Sequence, residues 1–240
     1  MKPELFHAHH ASYFEDLPYW ISLADESDGP ILELGCGTGR ILQHLDQEGF
    51  HVFGLDHEFG MLQYLKQLLP SARVFVADLT AFHLGMEFSL IFLPCNTYST
   101  LSSVKRQAGL RCIDHHLKPG GCFAASLPNP ADLAEMGDSD EAGLEETFFH
   151  PETGYPVQVT SSWRTLQDQV TIDWHYDHLF PDGQVIRNTH STSHYLDPAE
   201  SYIQEMKAQG WTVYADGEFD GGPFQQETDT LILRGYKSEG

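Results

Sequence analysis

Basic residues are scarce in this 240-residue chain: 13 Lys and Arg stand against 35 Asp and Glu, a formal net charge of −22 with histidine neutral. A surface of that sign repels phosphodiester backbones and anionic lipid, which argues against nucleic acid and membrane as partners. Cysteine is scarce too. Cys36, Cys95, Cys112 and Cys122 form no C-x-x-C pair and fall in predicted core elements. That is the pattern of free thiols in a reducing compartment, not of a disulfide scaffold. No apolar run reaches membrane-spanning length, "FSLIFLPC" (88–95) being among the longest. The opening "MKPELFHAHHASYF" has no apolar leader segment and is broken by histidines. These absences predict a cytoplasmic protein.

What is present is an ordinary globular composition, 41% hydrophobic and 20% charged, over a length within reach of one α/β domain. Short apolar runs at 31–34, 51–56, 73–78, 88–93 and 122–127 alternate with helical patterns at 39–48, 61–69 and 101–117. Continuous apolar strands separated by helices predict a parallel sheet covered on both faces. From about 145 to 197 the pattern changes. Three strands are expected near 156–165, 169–180 and 184–196, and in the second Val170, Ile172, Trp174 and Tyr176 alternate with polar residues. "PDG" at 181–183 is a hairpin turn. A helix between Asp197 and Gly210 and two final strands resume the αβ order. The whole of 1–240 is therefore read as one domain with an antiparallel β-meander inserted between the fifth strand and the last helix.

The most informative stretch is "ILELGCGTGR" (31–40), a strand, a glycine loop and a helix start. Glycine admits a ligand close to the backbone. The spacing Gly35-x-Gly37-x-Gly39 is not the G-x-G-x-x-G of a dinucleotide site, and no Gly-Lys-Ser/Thr follows as in a phosphate-binding loop. Acidic residues recur at strand ends. Glu33 precedes the first glycine. Asp56 ends the second strand, where a carboxylate accepts bonds from two ribose hydroxyls. Asp78 ends the third, where it reaches an adenine amino group with Leu79 against the ring. All lie at the carboxyl ends of parallel strands, where open sheets bind ligands.

These motifs resemble those of the class I S-adenosylmethionine-dependent methyltransferases, small-molecule type. "ILELGCGTGR" resembles the family's first motif and "GLDHEFGML" its second, with Met61 in its usual place. "VADL" resembles the adenine-contacting segment, and "LKPGGCF" the turn into the fifth strand. The resemblance implies a Rossmann-like, doubly wound, mostly parallel seven-stranded sheet and S-adenosyl-L-methionine as cofactor. It also implies that Gly35 and Gly37 line the cofactor, that Leu93 offers backbone to its amino-acid end, and that Tyr13 covers it. The family's cofactor is a cationic sulfonium without phosphate, so the loop needs no Lys or Arg. Methyl transfer is an in-line displacement accelerated largely by alignment, so no catalytic triad is required.

Near the acceptor, "LPCNTYSTL" (93–101) presents Asn96 and Tyr98 as candidates to orient a substrate. It departs from the Asp/Asn-Pro-Pro-aromatic pattern of enzymes that methylate nucleobase amino groups. Cys95 has no neighbouring base in the sequence. The histidines show no H-E-x-x-H pattern and are read as surface or satisfied core residues, with no metal site. His178 or His190 is a candidate base if the meander roofs the pocket. In small-molecule members such an insert shapes the acceptor pocket or forms a homodimer, as in enzymes acting on amino-sugars of nucleotide-linked sugars. An anionic sugar nucleotide suits this acidic chain poorly, and the acceptor stays open. The expected activity is methyl transfer to oxygen or nitrogen of a small molecule. The alternatives are a non-catalytic cofactor-binding protein whose insert serves a dimer or partner, and a nicotinamide-dependent oxidoreductase, against which the glycine spacing speaks.

Overall fold

The computed structural model describes residues 2–139, 141–225 and 227–239. In chain order the elements are α1 (Pro3–His10), α2 (Leu17–Asp25), β1 (Ile31–Leu34), α3 (Arg40–Gln47), β2 (Val52–Asp56), α4 (Phe59–Leu68), β3 (Arg73–Val76) and β4 (Phe88–Leu93). A 3-10 turn (Thr97–Thr100) leads into α5 (Ser103–His116), β5 (Leu117–Pro128) and α6 (Pro130–Glu135). Then come β6 (Gly143–Phe149), β7 (Pro156–Leu166), β8 (Gln169–Leu179) and β9 (Val185–Tyr195). The chain closes with α7 (Ala199–Lys207), β10 (Thr212–Gly217), β11 (Gly222–Pro223) and β12 (Thr230–Tyr236).

The main sheet runs β11-β10-β12-β5-β4-β1-β2-β3. Five strands are parallel, and β12 enters antiparallel between β5 and β10. The expected seven strands are corrected to eight, because the two-residue β11 folds back on β10 through Asp216–Pro223 and Gly217–Gly222. Side chains alternate across the sheet and separate into two cores. Leu32, Leu34, Phe53, Leu55, Ile91, Leu93, Phe123 and Ala125 pack beneath α5 and α7. Ile31, Val52, Leu90, Phe92 and Ala124 pack beneath α2, α3 and α4. This is why the strands read as unbroken apolar runs.

The insert is a four-stranded antiparallel sheet, β6-β7-β8-β9, not three strands. The missed strand, "GLEETFF", is mostly exposed and acidic, so it gave no apolar alternation to read. The meander buries its apolar face against α1. Leu5 joins Val157, Val159 and Tyr176 in a small third core, 2% exposed at Leu5. That helix was unforeseen because "PELFHAHH" carries three histidines and little apolar periodicity.

Candidate active site

The glycine loop turns from β1 into α3 through left-handed backbone. Gly37 has φ 51° and Gly39 φ 80°, and a Cβ on Gly39 would stand 2.4 Å from a Leu65 methyl. L side chains rarely adopt such φ values, so this turn needs glycine. Asp56 holds the loop. Its Oδ2 accepts from the Gly37 amide at 2.8 Å and its Oδ1 from the Glu58 amide at 2.8 Å.

A cleft opens over the loop at the carboxyl ends of β1, β2 and β4. It has two lobes that share Phe6, Gly35, Gly37, His190 and Thr192. One lobe, of about 430 Å3, is lined by Asp56, Met61, Asp78 and Leu79. The Thr80 amide and hydroxyl, each bonded to Asp78 Oδ1, hold that carboxyl below the ordinary carboxylate value. The other lobe, of about 290 Å3, is floored by Glu33, Gly35 and Arg40.

Glu33 is 3% exposed, and its Oε2 has no hydrogen-bond partner. Burial pushes its carboxyl up to about 8, against the pull of Arg40 and the Leu42 amide. A buried carboxylate oxygen facing a cavity without a partner fits a ligand ammonium. Arg40 stands beside it, its guanidinium forked onto Asp16 at 2.6 and 2.7 Å and its Nη2 3.1 Å from Cys95 Sγ.

The walls of this lobe come from the N-terminus and the meander. Along α1, Leu5 and His9 face the meander while Phe6 and His10 line the cavity, the i, i+4 pairing of one helix. Across β8 and β9, Trp174, Tyr176, His190, Thr192 and His194 line it at every second position. Burial lowers the pKa of His190 and His194 below the ordinary value, and takes His10 to about 4 with help from His9 and Arg40. His194 Nδ1 lies 2.8 Å from Ser99 Oγ, which donates to the Asn96 carbonyl at 2.8 Å.

The cleft thus gathers Glu33, Gly35, Gly37, Asp56, Met61, Asp78 and Leu79, together with Asn96 and His190. It does not gather four other expected residues. Tyr98 is 2% exposed and packs on Phe123 and Tyr202. His178 shares the parity of Tyr176 but lies two residues beyond the cavity, stacked on His150 at 4.4 Å and bonded to Thr153. Leu93, expected to offer backbone, ends β4 with its side chain fully buried in the core under α5 and lines neither lobe. Tyr13 has Arg40 over its ring, 5.1 Å away, and lines neither lobe, while Phe6 and His10 line the cavity from α1. Trp174 and Tyr176 could have been found from the alternation of their strand. His194 and Ser99, 95 residues apart, gave no local signal. No cluster suited to a metal ion exists among the described residues.

The family profile of the methyltransferase domain matches residues 31–121, the segment that builds the loop and both acid-bearing strand ends. That segment is similar to the methyltransferase domain of S-adenosylmethionine-dependent enzymes. Among the proteins to which the chain is similar is the dTDP-3-amino-3,4,6-trideoxy-alpha-D-glucopyranose N,N-dimethyltransferase of Streptomyces venezuelae, 30% identical over 92 residues. That alignment covers 38% of the chain and 39% of the relative, so the chain spans less than half of that enzyme. The putative methyltransferase YqeM of Bacillus subtilis is 22% identical over 96% of the chain and 92% of its own length. Two crystal structures share the fold end to end. An S-adenosylmethionine-dependent methyltransferase from Clostridium acetobutylicum superposes with a TM-score of 0.82 at 15% identity, covering 97% of this chain and 95% of that one. Streptomyces venezuelae DesVI gives 0.77 at 20%, covering 99% and 97%. S-adenosyl-L-methionine is the cofactor of this family, and the unpartnered Glu33 oxygen fits its ammonium group.

Proposed function

We propose that this methyltransferase transfers a methyl group to the nitrogen of a small-molecule amine. The observation that carries the choice of nitrogen is the wall of the smaller lobe, where the imidazoles of His190 and His194 stand with the aromatic side chains of Trp174 and Tyr176. Imidazoles that are neutral at pH 7 suit the removal of a proton from an ammonium of pKa about 10. They suit a hydroxyl far less, since a proton on oxygen is held at about 16 in water. The aromatic side chains of Trp174 and Tyr176 in the wall also suit a cationic acceptor. Relatives whose names specify nitrogen agree, among them a dTDP-4-amino-2,3,4,6-tetradeoxy-D-glucose N,N-dimethyltransferase and a cypemycin N-terminal methyltransferase.

In this reading the cofactor supplies an electrophilic methyl group at the junction of the lobes. Glu33 receives its ammonium, Asp56 its ribose, and Asp78 and Leu79 its adenine, with Met61 packing alongside. Phe6, His10 and the meander exclude water and orient the acceptor. The test is a matched panel of amines and alcohols of the same skeleton, followed by mass spectrometry. Methylation of the amines alone is expected. Transfer to the alcohols with the amines inert would overturn the assignment.

A further inference from the structure

We infer that His194 takes the proton released by the acceptor and that Ser99 fixes the ring tautomer this requires. The inference deepens the nitrogen reading above and rests on it. Ser99 has one hydroxyl proton and two polar neighbours, the Asn96 carbonyl and His194 Nδ1, both at 2.8 Å. A carbonyl only accepts, so the hydroxyl proton points to Asn96. Ser99 Oγ can then only accept from the ring, and His194 Nδ1 must carry the proton. Nε2 is left as the basic nitrogen.

The relay is anchored in backbone. Asn96 sits in the left-handed region at φ 62°, Ser99 is fully buried, and Thr100 Oγ1 closes the turn onto the Thr97 carbonyl at 2.7 Å. His194 is 6% exposed yet lines the smaller lobe, and no described protein group bonds its Nε2. The other ionisable groups lining that lobe are Glu33, Cys36, Arg40, Cys95, His10, Tyr176 and His190, the last of them earlier on β9 and the rest on other elements. None of them contributes to the lowered His194 pKa, which burial alone produces. His10 also has its Nδ1 occupied, by the Phe6 carbonyl at 2.9 Å, but a pKa of about 4 makes it a weak proton acceptor. Among the described residues no group hydrogen-bonds the His190 ring to select its tautomer.

The nitrogen lone pair forms the C–N bond while the methyl–sulfur bond breaks and leaves its electron pair on sulfur. The proton on nitrogen passes to His194 Nε2 and from there to water.

Two measurements test this. Long-range 1H–15N correlation on wild-type protein should show a neutral His194 protonated at Nδ1, and Ser99→Ala should release it to a mixture. His194→Gln should keep affinity for S-adenosylhomocysteine within about threefold, lower kcat on an amine by about a hundredfold or more, and abolish the acidic limb of the kcat profile. Ser99→Ala should lower kcat with little change in KM, and Ser99→Thr should restore it. A proton found on Nε2 in wild-type protein would overturn the inference without needing any variant to fold. Transfer to amines with an unchanged acidic limb in His194→Gln would overturn the role of His194 alone. Failure of wild-type protein to methylate any amine while binding cofactor would instead overturn the nitrogen reading, and this role with it.

Discussion

Two carboxylates set the behaviour of the loop. Glu33 has a folded-state pKa near 8, above its ordinary 4.5. The unliganded protein therefore holds a proton there at pH 7, and the stability due to this group, full below 4.5, is lost as pH rises through 8. A cofactor ammonium reverses the preference. Binding of S-adenosylhomocysteine at pH 7 should expel close to one proton, read by calorimetry in buffers of different ionisation enthalpy. Glu33→Gln should remove that release and weaken binding about 10- to 100-fold, the range of a charged hydrogen bond. Proton release that persists in the variant would refute the assignment. Asp56 acts on the empty protein as well, because it bonds the Gly37 and Glu58 amides. Asp56→Ala should cost about 3 kcal/mol in unliganded denaturation and also abolish the thermal gain from S-adenosylhomocysteine. Unchanged unliganded stability would contradict the role given to those two bonds. The positions of these acids were legible because each lies near the carboxyl end of an apolar strand. Their pairing was not, since Asp56 lies 19 residues from Gly37.

Among the elements, α5 and α7 are joined by a buried arginine. Arg106 is fully buried and donates to Glu205 at 2.7 and 2.8 Å and to the Leu101 carbonyl at 2.7 Å. It also pairs with Asp197 at 2.8 Å and lies over the Tyr202 ring at 4.2 Å. It thus ties the exit of the meander and the wall residue Leu101 to the helical layer. Removing one partner of a buried pair leaves an uncompensated charge. Arg106→Met should therefore cost about 3–5 kcal/mol, a fall in Tm of about 10 °C. Adding Glu205→Leu should recover much of the loss. Denaturation of the single and double variants checks both statements. Strands β1 to β4 were readable from continuous apolar runs. The start of β5 was placed too late, because Leu117 already pairs with Phe88 before the irregular "KPGG" stretch, after which pairing resumes at Leu90–Cys122. Helix α1 escaped because its stability comes from docking, not from its own periodicity.

At the scale of the molecule, the sheet supplies the acids and glycines of the cleft, while the meander and α1 supply its roof. Replacing 156–196 with a Gly-Ser linker removes Trp174, Tyr176, His190, Thr192 and His194 and strips Leu5 of its core partners. Cofactor binding should weaken but persist, since Glu33, Asp56 and Asp78 remain. Methyl transfer should be lost, and hydrogen exchange at 3–10 should speed up. Full activity of the shortened protein would show that the acceptor is held elsewhere.

The sequence by itself determined the α/β order, the glycine loop and the acids at the strand ends. Each of these is a local pattern, written in strand apolarity and in backbone that only glycine tolerates. Tertiary structure alone decided that α1 covers the meander, that Tyr98 and His178 turn away from the cleft, and that Ser99 meets His194. Those outcomes depend on contacts between residues far apart in the chain, and no local pattern of residue types specifies which distant side chains will share a wall.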